Sequence, residues 1–80
     1  MAIEALKVAR GSRSLGDIAR AMRAMGDDAC ESSHVWQMEN GSVCAGPRFL
    51  RYARALGMEP DALAAIYEEH KRAEKSATEA

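Results

Sequence analysis

Eighty residues with a formal net charge of −1 allow one small domain and exclude attraction to polyanions through bulk charge alone. The composition is 48% apolar and 29% charged, with four aromatics (Trp36, Phe49, Tyr52 and Tyr67), which excludes disordered and collagen-like chains. A chain of this length buries only about 60% of its unfolded surface, which argues against a large enzyme with a deep pocket.

The elements follow in chain order, divided by glycines into segments of helical period. Helix formers dominate, and no stretch alternates apolar and polar residues long enough to suggest a strand. Ile3, Leu6 and Ala9 or Lys7 mark a first helix, which Gly11 ends. Ser14 is placed to cap a second, with Asp17 three positions on completing an approximate capping box. From there Leu15, Ile18, Ala19, Met22 and Met25 form an apolar stripe, closed by Gly26. Glu31 or Ser32 opens a third, short helix whose buried pair is Val35 and Met38, and Asn40-Gly41 stops it. Pro47 opens a fourth, with Phe49, Leu50, Ala53 and Leu56 on one face until Gly57. Pro60 opens a fifth, running to about Lys75. The expected architecture is all-α, a single domain over residues 1–75, with residues 76–80 as a frayed tail.

The third helix carries the most informative pattern. Stepping about 100° per residue from Val35 and Met38 turns Ser33, Trp36, Gln37 and Asn40 away from the core or along its flank. Ser32, in the first turn, can project from the helix end. Neutral polar side chains of this kind can read base edges or bind phosphate oxygens. A merely solvated face is the competing reading, against which an exposed tryptophan argues for a contact surface.

Two stretches carry a family resemblance. Ser14-Leu15-Gly16-Asp17-Ile18-Ala19 with Ser33-His34-Val35-Trp36-Gln37-Met38-Glu39-Asn40-Gly41 resembles the helix-turn-helix of the Cro/CI-type (XRE) DNA-binding family. So does Pro47-Arg48-Phe49-Leu50, followed by Ala53-Arg54-Ala55-Leu56-Gly57-Met58-Glu59-Pro60-Asp61-Ala62-Leu63. The resemblance covers roughly residues 3–66. It implies a five-helix, lambda-repressor-like DNA-binding domain, with the helix-turn-helix at helices two and three and the third helix in the major groove. One departure is plain: residues 23–31 separate Met22 from Ser32, about six more than the usual turn. A longer second helix accounts for this best, because Met25 continues the stripe and Gly26 follows it.

The resemblance implies roles residue by residue. Ser32, Ser33 and Gln37 match positions that contact bases; Gln can bond an adenine edge bidentately. Trp36 either packs on a thymine methyl or the DNA backbone, or covers the unusual turn. Asn40 matches a phosphate contact, and Arg48 an arginine that reaches phosphate or the minor groove. Ser14 and Leu15 would offer backbone N–H groups to a phosphate, with Arg13 assisting. Arg20, Arg23, Arg51 and Arg54 read more simply as solvated charges. Lys7 and Glu39 match an ion pair fixing helix one to helix three, against which stand two independent surface charges.

The last helix repeats Leu63, Ile66, Tyr67 and His70 at helical spacing. Through these residues it would pair with its twin in a homodimer, two-fold symmetry matching two half-sites, or Leu63 and Ile66 would fill the monomer core. Charge divides there too. Residues 1–57 hold eight Lys/Arg against six Asp/Glu, a balance of +2, and residues 58–80 hold three against six, a balance of −3.

Cys30, His34, Cys44 and His70 fit no usual zinc spacing, so neither metal nor cofactor is expected; Cys30 reads as a small apolar plug. No Ser/His/Asp set or carboxylate pair survives placement on the helices, and the chain is expected not to be an enzyme. No apolar stretch approaches the roughly 20 residues that cross a bilayer. The N-terminus lacks the basic-then-apolar pattern of a signal peptide, which points to the reducing cytoplasm. The sequence thus predicts a cytoplasmic, sequence-specific transcriptional regulator. It would be a homodimeric repressor on double-stranded operator DNA, of the kind common in phages and mobile elements, independent of metal and membrane. The alternative is a protein-interaction module, antitoxin-like or anti-activator, on the same fold.

Overall fold

The computed structural model describes residues 3–42 and 45–79, with side chains through Glu74. Among the described residues there are five helices and no strand: α1 (Glu4–Arg10), α2 (Leu15–Ala24), α3 (Ser32–Glu39), α4 (Pro47–Leu56) and α5 (Pro60–Glu79). The all-α expectation therefore holds. Cys44 and Ala80 lie outside the described residues.

Local chemistry sets the helix ends. Ser14 Oγ accepts from the Asp17 amide while Asp17 Oδ2 accepts from the Ser14 amide, both at 3.0 Å, a reciprocal box at the start of α2. Gly57, at φ +76°, closes α4 in the left-handed conformation that side chains disfavour. The fifth helix continues to Glu79, beyond the expected end near Lys75 and into the stretch taken for a frayed tail. No Gly or Pro follows Pro60 to stop it, and Ala, Glu and Lys are strong helix formers.

The core forms where α2 packs on α3 and α4, with α1 against α4 and α4 against α5. Leu6, Ile18, Met22, Val35, Tyr52 and Leu63 are fully buried there. Burying each of these larger apolar side chains contributes about 1.5–3 kcal/mol. Cys30 is buried beside Met22, with sulfurs 3.7 Å apart, and acts as the small apolar plug expected of it. Burial raises its thiol pKa above the ordinary value.

The α4 stripe differs from the sequence reading. Leu50 is 51% exposed, and Tyr52 stands in the core instead. The partly buried Phe49 and the buried Tyr52, Ala53 and Leu56 keep the i, i+3, i+4, i+7 spacing, which Leu50 breaks.

The long connection between α2 and α3 is only in part a longer helix. Helix α2 does run past Met22, but only to Ala24, with Met25 as its C-cap. Residues 25–31 then form an ordered turn in which Asp27 N bonds Met22 O and Cys30 N bonds Asp27 O, both at 3.1 Å.

Candidate nucleic-acid interface

The outer and inner faces of α3 separate cleanly. Ser32, Ser33, Trp36 and Gln37 are exposed, Trp36 to 56%. Val35, Met38 and Glu39 are buried. The outward direction of the four residues proposed for base contact is therefore as the 3.6-residue period requires.

The end of α3 is held from two sides. The Ile3 amide donates to Glu39 O at 2.7 Å, and the Tyr67 hydroxyl of α5 donates to Met38 O at 3.0 Å. Beyond the helix, the His70 ring packs against Gly41. At the start, His34 Nδ1 accepts from the Glu31 amide at 3.0 Å. Arg23 donates to the carbonyl of Cys30 at 2.8 Å.

The expected ion pair changes partner. Glu39 binds Arg10, with Nε to Oε2 at 2.9 Å and Nη2 to Oε1 at 3.0 Å, while Lys7 is exposed. Lys7 and Arg10 lie one turn apart on the same side of α1, and the arginine's planar fork matches a carboxylate where an ammonium cannot. Its hydrogen bonds to Glu39 raise the Arg10 pKa above the ordinary guanidinium value.

Two arginines expected at DNA instead hold the chain together. Arg48 binds Asp27 bidentately, Nε to Oδ2 at 2.7 Å and Nη2 to Oδ1 at 3.1 Å. That pairing holds the Asp27 carboxyl below the usual carboxylate range. Arg13 donates to three carbonyls: Ala9 at 2.9 Å, Arg10 at 3.0 Å and, across to α4, Ala55 at 2.6 Å. Both side chains thus have partners inside the protein, at the positions where the resemblance implies a phosphate or minor-groove contact. Asn40 Nδ2 likewise turns back to Trp36 O at 2.7 Å, capping the end of α3. Ser14 and Leu15 stand at the start of α2, where the Ser14 amide already donates to Asp17 Oδ2 at 3.0 Å.

The residues assigned to dimer contact are also divided. Leu63 and Tyr67 are buried in the monomer core, so they are not available to a second copy. Ile66 and His70 remain half-exposed in an open groove between α5 and the start of α1, which Ile3, Glu4 and Glu69 also line. His70 Nε2 lies 3.2 Å from Glu74 Oε1. Periodicity identifies the apolar face of α5, but only the packing reveals that the same chain covers most of it.

Sequence reasoning missed Arg10, Asp27 and the Tyr67 hydroxyl. Arg10 shares its face with Lys7 and was within reach of the pattern; Asp27 and Tyr67 find partners 21 and 29 residues away and leave no local signal. Among the described residues no cluster of His, Cys, Asp and Glu could hold a metal ion. None of their helices is long and apolar enough to cross a membrane. Comparison with known proteins finds no matching family model, curated protein or solved structure.

Proposed function

We propose that the chain is a sequence-specific DNA-binding transcriptional regulator, a repressor acting as a homodimer, in which α2 and α3 serve as a helix-turn-helix and α3 enters the major groove. One observation carries this reading: an eight-residue helix turns Ser32, Ser33, Trp36 and Gln37 to solvent while its inner face is buried. A short helix needs no exposed tryptophan for its stability, whereas neutral polar side chains beside an aromatic suit base edges and thymine methyls. Repression would be steric, two recognition helices occupying successive major grooves and excluding polymerase.

The test is a salt-titrated gel shift on the DNA upstream of the protein's own coding sequence. Specific binding with a marked salt slope is expected. Gln37→Ala is expected to weaken the specific complex by about 1–3 kcal/mol and relax one base position. Equal loss on random DNA would remove the base-reading role.

A second reading, a protein-interaction module on the same fold, has one observation in its favour. Arg13 and Arg48 donate to the chain's own groups, and α3 itself carries no Lys or Arg. Absence of any DNA binding at low salt would select it over the first.

A further inference from the structure

The connection into α3 delivers a negative charge to the front of the proposed recognition helix. Glu31 is the N-cap of α3, exposed, and immediately precedes Ser32 and Ser33. Its main chain is fixed on both sides. His34 Nδ1 accepts from its amide at 3.0 Å, its carbonyl accepts from the His34 and Val35 amides, and the neighbouring Cys30 is fully buried with its carbonyl bonded to Arg23. Its side chain turns to the His34 amide in a capping box, which holds the carboxylate at the first turn of α3. Of the arginines that reach this connection, Arg23 binds the Cys30 carbonyl and Arg48 the Asp27 carboxylate, while Arg51 lies against Gly26.

A carboxylate accepts hydrogen bonds and cannot donate them, and its several lone pairs leave capacity beyond any contact within its own helix turn. Facing a duplex, it is repelled by phosphates and by the keto oxygens of guanine and thymine. The favourable partner in the major groove is an exocyclic amino group, foremost N4 of cytosine. We propose that Glu31 is a specificity-determining residue, its carboxylate accepting from a cytosine N4 amino group at the edge of the half-site and rejecting bases that present an oxygen there. This rests on the DNA-binding reading above and adds a base preference to it. The same charge makes the protein demanding, because contacts that do not satisfy Glu31 leave only its repulsion from the backbone.

The experiment selects bound duplexes from a randomised pool with the full chain, in parallel with Glu31→Ala and Glu31→Gln. Circular dichroism establishes that each variant keeps its helicity. The expected result is a motif with a cytosine position that Glu31→Ala loses, discrimination there falling about tenfold while affinity for random duplex rises at low salt. Glu31→Gln, which adds an amide donor, is expected to broaden the position toward adenine. If Glu31→Ala returns the wild-type motif unchanged, the proposal is overturned and the DNA-binding reading stands. If the wild-type chain enriches no motif at all, both fall.

Discussion

The Arg48 guanidinium closes on the Asp27 carboxylate, tying the first turn of α4 to the connection that leads into α3. Asp27 is nearly buried and Arg48 about one-third exposed, so the pair lies between a surface bridge and a core one. Its depressed pKa gives the sign of the acid response. The carboxylate's contribution is full above the unfolded value near ~3.9 and is lost as pH falls through the lower folded value. Asp27→Asn should cost about 1–2 kcal/mol at pH 7 and lose less than the wild type between about pH 5 and 3. Urea denaturation across that range measures both.

Arg10 and Glu39 give a second prediction, sharpened by the residue that does not take part. Arg10→Met should destabilise the chain by about 2–3 kcal/mol, because it leaves a nearly buried carboxylate unpaired. Lys7→Met should stay within about 0.5 kcal/mol. Double-mutant cycles with Glu39→Gln should show strong coupling to Arg10 and almost none to Lys7. Coupling of equal size to both would contradict the fork geometry.

Gly41 gives a third. It follows α3 at φ +105°, and a Cβ there would lie 2.9 Å from His70 Nε2. Gly41→Ala should therefore cost about 2–3 kcal/mol, part from the backbone and part from the collision. Adding His70→Ala should recover the collision's share only, which thermal melts of the single and double variants would resolve. Full recovery would mean that the backbone conformation carries no strain.

These three sites show what the sequence can reveal. The Ser14–Asp17 box, the α2 stripe and the glycines that end helices are local, since each motif and its consequence lie within one or two turns. The outward face of Ser32, Ser33, Trp36 and Gln37 was legible for the same reason, once Val35 and Met38 were placed inside. The Asp27 partnership with Arg48 and the Tyr67 hydroxyl bond to Met38 were not. Each of those outcomes depends on which distant segment arrives, and periodicity specifies a face without specifying its neighbour. Arg13 and Arg48 mislead in a related way, because an arginine that binds DNA and one that binds its own chain look alike in sequence.

Trp36, the chain's single tryptophan, supplies the fourth prediction. At 56% exposed it should emit as a hydrated indole and be readily quenched by acrylamide. A specific duplex should protect it from quenching, and Trp36→Ala should weaken that duplex by about 1–3 kcal/mol. Unchanged quenching in a demonstrated complex would place Trp36 outside the contact.

Arg13 joins the last turn of α1 to Ala55 near the end of α4 through neutral carbonyl oxygens, and a guanidinium does not lose its proton in water near neutrality. That weld contains nothing that acid can titrate, unlike the carboxylate clasp at Asp27. Acidification should accordingly weaken the tie between α4 and the approach to α3 while leaving the Arg13 contacts between α1 and α4 without a titrating partner.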